Sequence, residues 1–293
     1  MAYQSRLSPS NTVVCLENTG IYDDQLLQVM HQAGWICAVE HTRVLEKVTP
    51  QHHRKDDGFD AAKLAEYGYR YLDELHLFRP TRRVIKGLRQ LFNERRRLVG
   101  QRASVKTKQT QSRQLTVTSS LVEQSWQAQM NCYNHQIQAI EQRIRDLIHA
   151  HAPIQQYDEV LQRIPGVGEV TSWMWIIQFY GESQLDARSI ASRFGFAPHT
   201  YRSGSSAHGK TRSSGHGVSQ MRQYMSMAVR SACTHCNKFR SYKEQKEIEG
   251  KNWPVIRNNT INKLIKIMCA IWNSKSPYQK NHTSRFDQQK NAA

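Results

Sequence analysis

The sequence predicts an α/β domain followed by an all-α remainder, and three observations carry that prediction. Two short apolar strands flank an amphipathic helix within the first forty residues. From Val84 onward the apolar residues take up the four-three spacing of long helices. Beyond Pro153 the helical patterns are broken by one Gly/Ser-rich basic loop. At 293 residues the chain exceeds the usual size of a single hydrophobic core. The expected domains are 1–80, 81–152 and 153–280, with a polar tail at 281–293.

Thr12 to Leu16 reads as a strand, Tyr22 to Ala33 as a helix closed by Gly34, and Trp35 to Val39 as a second strand. Apolar strands on either side of a helix predict a parallel βαβ unit. Thr42 to Val48 suits a further helix, and Pro50 to Lys55 is a basic loop. Gly58 to Leu72 is expected to be a helix with Ala61, Leu64, Ala65 and Tyr69 on one face. Next come two heptad runs, Val84, Leu88, Leu91, Arg95, Leu98, Arg102, Val105 and then Trp126, Met130, Tyr133, Ile137, Ile140, Ile144, Leu147. They predict two long helices of a coiled-coil arm, formed as a hairpin or between subunits; two ordinary bundle helices are the alternative.

Ile164-Pro165-Gly166-Val167-Gly168 leads into an apolar helix, Val170 to Tyr180. A Pro-Gly-x-Gly turn at a helix N-terminus exposes N–H groups able to hold phosphate, as in helix-hairpin-helix modules; a tight interhelical turn explains Gly166 and Gly168 equally well. The loop from Tyr201 to Gly217 is built of Gly, Ser and charge, which cannot pack a core. Helices are expected again at Val218 to Thr234 and Asn259 to Trp272.

Lys and Arg number 41 against 24 Asp and Glu, which points to a polyanionic partner, nucleic acid first. Twelve Lys/Arg face one acid between Arg79 and Arg113, and ten face none from Ala187 to Lys243. With no apolar run near the roughly twenty residues of a spanning helix and no signal-peptide segment, the expectation is a cytoplasmic protein with no membrane partner. The six cysteines follow no disulfide ladder. Cys233-Thr234-His235-Cys236 offers at most half a zinc site, within a helical pattern.

Glu17, Asp57 and Asp60 are hard oxygen ligands, the two Asp three apart on one helix face, and such carboxylates suit Mg²⁺ at a phosphodiester. An N-cap, a first-turn acid and a solvated turn residue would account for the same three. In the basic loop Ser203 is the leading nucleophile candidate, with Ser205 and Ser206 as neighbours. Arg202, Lys210 and Arg212 are placed to neutralise a phosphate; simple backbone-phosphate binding is the alternative.

Read together, these segments resemble one family. Leu16 to Tyr22 is similar to an "E-x-T-G-x-Y" element and Lys55 to Ala65 to "K-x-D-x-x-D-A-x-x-(L/I)-A". Ile164 to Gly168, Phe194 to Pro198, and Arg202-Ser203-Gly204 through Gly215 to Arg222 resemble "I-P-G-(I/V)-G", "G-L-x-P" and "S-G … G … L-R". The chain resembles the IS-one-ten insertion-sequence transposases from Asn11 to Tyr278. The resemblance implies a RuvC-like (RNase H-like) "DEDD" domain, a coiled-coil arm and a mostly helical serine domain. It further implies Mg²⁺ held by Glu17, Asp57 and Asp60, and Ser203 as the nucleophile that links to DNA. Arg202, Lys210, Arg212, Arg222, Gly166 and Gly168 would bind nucleic acid. The implied partners are donor and target DNA, a bridge-type RNA and further copies of the chain, as dimer or tetramer, with active sites shared across subunits.

The family's opening strand with its first Asp finds no match before Asn11, so the expectation is a truncated RuvC-like domain and a chain poorly active by itself. The competing readings are a truncated remnant that only binds nucleic acid and a metal-only nuclease.

Overall fold

Strands β1 (Val13–Glu17) and β2 (Ile36–Glu40) pair in parallel, Val13 opposite Ile36 and Glu17 opposite Glu40, in the computed structural model. The structure describes residues 7–18, 20, 22–40, 57–199, 202–203, 207–208, 212–213 and 219–279. Helix α1 (Asp23–Gln32) makes the crossover, as the strand–helix–strand pattern predicts. The expected helix at 42–48 and the basic loop at 50–55 lie outside the described residues. On the far edge of β2 the chain returns antiparallel, with Val39 N–H donating to His76 O at 3.0 Å and Phe78 N–H to Cys37 O at 2.7 Å. These elements belong to the first of two units, Met1–Arg82; the second is Arg83–Ala293.

Helix α2 (Asp57–Arg70) packs on β1 with a different face from the expected one. Tyr67 and Gly68 are buried, whereas Tyr69 is 87% exposed. The reason is a close approach: a Cβ on Gly68 would lie 2.3 Å from Cys15 Sγ. Only a residue without a side chain lets the helix sit that low on the strand, and apolar spacing in one helix carries no information about its partner's surface.

In the second unit, α3 (Arg83–Ser112) and α4 (Ser120–His149) form a hairpin of two 30-residue helices, each about 45 Å long at the usual rise. Arg95 pairs with Glu141 at 2.7 Å and Arg102 donates to Asn134 at 2.9 Å, so the partner on α4 recedes as α3 advances. The helices are therefore antiparallel within one chain. At the base of the hairpin Ile85, Leu88, Phe92, Ile144 and Ile148 join a core shared with the C-terminal helices.

Those helices are α5 (Ala152–Gln162), α6 (Glu169–Phe179), α7 (Ala187–Arg193), α8 (Ser219–His235), α9 (Asn237–Ile248) and α10 (Trp253–Ser274). Pro153 sits in the first turn of α5, where a missing N–H costs nothing. Helix α6 is buried nearly all round, including Trp173, Trp175 and Phe179 at 1% exposure or less. Helix α10 begins six residues before its expected start, because the Asn252 side chain caps Val255 N–H and Pro254 occupies the first turn. Helix α9, too polar to show a periodic apolar face, is an addition to the expected elements; among its residues only Phe239 is buried.

Between α7 and α8 the sequence predicts only an unstructured loop. The described residues there instead form two short antiparallel ladders. Strand β3 (Pro198–His199) pairs with β6 (Arg212–Ser213), and β4 (Arg202–Ser203) with β5 (Ala207–His208). The inner pair, β4 with β5, is a β-hairpin by pairing, and the outer pair, β3 with β6, brackets it in sequence as a separate two-stranded sheet.

Candidate functional site

Two groups of residues carry the chemistry, one in each unit. In the first, Glu17 ends β1 and is half-buried, while Asp57 and Asp60 lie exposed in the first turn of α2. Asp60, itself exposed, is 3.9 Å from the half-buried Lys63, a loose pair. The carboxyl ends of parallel strands are where α/β sheets bind ligands, so the placement of Glu17 is favourable. Beside it, in register, stands Glu40, which sequence reading passed over because it ended the second strand at Val39. Glu40 is 1% exposed; its carboxylate accepts from His76 N–H at 2.8 Å and faces His76 Nδ1 at 3.1–3.2 Å, while its carbonyl accepts from Asn18 N–H at 2.9 Å. The symmetric position of an acid at each strand end was the available signal.

Hard oxygen donors suit Mg²⁺ in chemistry. Among the described residues, however, no three His, Cys, Asp or Glu side chains converge, so Glu17, Asp57 and Asp60 do not form one coordination shell. Cys233 and Cys236 belong to no such group among the described residues either; Cys233 is buried in α8, and burial pushes its thiol up.

In the second unit Ser203 lies on β4 and its neighbour Arg202 pairs with His208. Arg212 lies on β6 opposite His199. Lys210, Ser205 and Ser206 lie outside the described residues. The described elements on either side of this segment are tied to other helices. Upstream, α7 closes in a Schellman turn in which Gly195 adopts φ +73° and Phe196 N–H reaches Ala191 O at 2.7 Å. The Phe196 carbonyl then accepts from Asn258 Nδ2 at 3.0 Å and Asn262 Nδ2 at 3.2 Å, both on α10. Downstream, Gln220 in the first turn of α8 accepts from Arg96 of α3 at 3.1 Å. Arg222, half-buried, follows one turn-position later on α8. The side-chain links from Asn258, Asn262 and Arg96 were not visible in the sequence, since each joins residues sixty or more positions apart.

The Pro-Gly-x-Gly turn assigns its glycines different tasks. Gly166 has φ +85°, and a Cβ there would lie 2.2 Å from Ala228 O, so it lets the turn press against α8. Gly168 is the N-cap of α6 and faces open space, where backbone can approach a phosphate. The same N-terminus already holds Glu169, whose carboxylate takes Arg145 in a bidentate pair at 2.8 and 2.9 Å. That guanidinium holds Glu169 below the usual carboxylate range. Arg145 also lies 3.9 Å from Glu141, which pairs with Arg95, so alternating charges tie α3, α4 and α6 together. Nearby Asp158 accepts from Ser172 Oγ at 2.5 Å and Gln162 at 2.8 Å; burial nevertheless raises its pKa.

Among the described residues no helix is long and apolar enough to cross a membrane. A family model described as Transposase IS116/IS110/IS902 family matches residues 158–244, the span that holds the Pro-Gly-x-Gly turn and the serine hairpin. A DEDD-type model of the IS110 group, described as Transposase, matches residues 3–118, which include Glu17, Asp57 and Asp60. No curated protein matches the chain. With both models on one chain in this order, and together spanning more than half of it, the chain belongs to the IS110 family of insertion-sequence transposases.

Proposed function

We propose that this chain is the recombinase of an insertion sequence, cutting and rejoining DNA through Ser203. DNA-cleaving and rejoining activity is the general character of transposase domains, and DNA is their partner. The observation that supports the serine in particular is its placement on a paired β-strand between two segments tied to other helices, in a stretch free of acids and rich in Arg and Lys. A flexible phosphate-binding loop would need no such ties. In the proposed step Ser203 Oγ attacks phosphorus: an O–P bond to serine forms, a P–O bond to one deoxyribose breaks, and the hydroxyl proton ends on the departing sugar oxygen. Arg202, next to the serine in sequence, and Arg212, further along the same basic stretch, would neutralise the charge that gathers on the phosphate.

Divalent-metal dependence is general to DEDD-type domains. Mg²⁺ is the ion proposed for Glu17, Asp57 and Asp60, where it would neutralise phosphate charge. Bridge-type RNA guidance, nucleic-acid contacts by Lys210, Arg222 and the Gly168 N–H groups, and assembly as a dimer or tetramer complete the proposal. The separation of the three acids favours one second reading, a chain that binds nucleic acid without cutting it.

The test is denaturing electrophoresis of the chain with end-labelled element-end DNA and the RNA from the element's flank. Wild type is expected to give a covalent protein–DNA band that Ser203→Ala removes, with DNA retention unchanged. Ser205→Ala and Ser206→Ala should leave the band. A band that survives Ser203→Ala would refute the serine, and DNA retention with no band at all would establish the binding-only reading.

A further inference from the structure

We propose that Asn258 and Asn262 are positioning residues for the serine hairpin, setting the orientation of the strand that carries Ser203. The inference rests on the serine reading above. Both side chains are half-buried on one face of α10, one turn apart, and both donate to a single acceptor, the Phe196 carbonyl, at 3.0 and 3.2 Å. A carbonyl oxygen has two lone pairs, so two donors fix its direction as well as its place, whereas one donor would leave it free to pivot. The second hydrogen of Asn262 goes to Asn258 O on its own helix at 3.0 Å, which locks that side chain in turn.

The acceptor is well chosen for transmission. Phe196 is 2% exposed, so its side chain anchors the same residue in the core, and two residues later Pro198 opens the outer ladder. Alongside the two Asn, at helical spacing, α10 buries Ile261, Leu264 and Ile265, all at 2% exposure or less. The polar link therefore runs from a helix with a buried apolar side to Phe196, two residues before the ladder that brackets the strand of Ser203 in sequence. Asn is a poor residue for a helix interior, and two of them four apart on a helix buried this deeply have a reason only in what they hold. Small displacements of a nucleophile cost large factors in rate, since attack needs near-contact alignment.

The experiment measures the rate of covalent Ser203–DNA adduct formation at saturating DNA, the DNA concentration for half-saturation, and the melting midpoint. It compares wild type, Ser203→Ala, Asn258→Ala, Asn262→Ala and the double Asn variant. The expected result is at least a tenfold slower adduct rate in the double variant, with half-saturation within twofold and melting within 2 °C of wild type. The single variants, each keeping one donor, should fall between; they carry the test if the double variant fails to fold. An adduct rate within twofold of wild type overturns the proposal. So does a loss of rate that follows a matching loss of melting and binding, which would make the two Asn fasteners of the fold. If wild type and Ser203→Ala label alike, the serine reading fails first and the proposal falls for that separate reason.

Discussion

The two units hold their polar groups in opposite ways. In Arg83–Ala293 several polar links are backed by a large core. Trp272 Nε1 donates to Glu182 O, Asn273 and Leu185 exchange two hydrogen bonds, and Arg145 is shared by Glu169 and Glu141 over the buried Trp173. In Met1–Arg82 the buried apolar residues among those described are Leu27, Cys37, Ala38 and Tyr67, while Tyr22, Leu26, Val29, Tyr69 and Leu72 are exposed. There the acids stand at the edge of a thin sheet, and Glu40, held by His76, is the one buried carboxylate among the described residues. Apolar burial contributes roughly 25 cal/mol per Å², so a unit that buries little can fix few polar groups in place. A polar side chain is held only as firmly as the core behind it, and the links to Phe196, Leu185 and Glu182 have such a core.

The contrast can be broken by two glycine substitutions. Gly166→Ala has the largest expected effect, because the new Cβ meets Ala228 O at 2.2 Å and the backbone is left-handed. Strain and overpacking together should cost about 3 kcal/mol, read as a lowered denaturation midpoint of the second unit. Gly68→Ala should cost about 2 kcal/mol through its 2.3 Å clash with Cys15 Sγ, and Cys15→Ala in the same chain should restore most of it, since the remaining Cβ contact is an ordinary 3.6 Å. Hydrogen exchange should show that loss confined to residues 13–78. If both glycine variants lower one common transition, the units fold together and the comparison fails.

Smaller effects sharpen it. Glu169→Gln should cost on the order of 1 kcal/mol after allowance for its partial exposure. Its folded pKa lies below the ordinary 4.5, so the pair stabilises above that value and the contribution is lost as pH falls through the lowered one. Wild type and variant should therefore differ in melting at neutral pH and converge in acid; a gap that widens in acid would reverse the sign. Asp60→Asn is expected to leave melting unchanged, because its pair with Lys63 is long and Asp60 itself is exposed. A metal-dependent loss of cleavage in that variant, without loss of stability, would give Asp60 a role beyond the fold.

Much of the fold was legible in local pattern. The βαβ alternation, the two long helices and the Pro153 boundary all follow from spacing within ten or twenty residues, and the structure has each of them. The face of α2 was misread because its depth on β1 is set by the absent side chain of Gly68, a feature that apolar periodicity does not register. Helix α9 was missed because its stability comes from neighbours rather than from a stripe of its own. In the site, Ser203 and the three acids could be picked out by residue type, yet Glu40, Asn258, Asn262 and Arg96 could not, since their neighbours in sequence are uninformative.

What the sequence by itself determined is therefore the order of elements, the basic character of the arm and loop, and the motifs that tie the chain to its family. All of these reside in short stretches where period, capping residues and charge act locally. What only the tertiary structure decided is which distant group each polar side chain meets: Phe196 with Asn258 and Asn262, Gln220 with Arg96, Glu40 with His76. A hydrogen bond between residues far apart in sequence leaves no period to read, because its geometry is set by how the helices and strands pack rather than by the residues on either side of it.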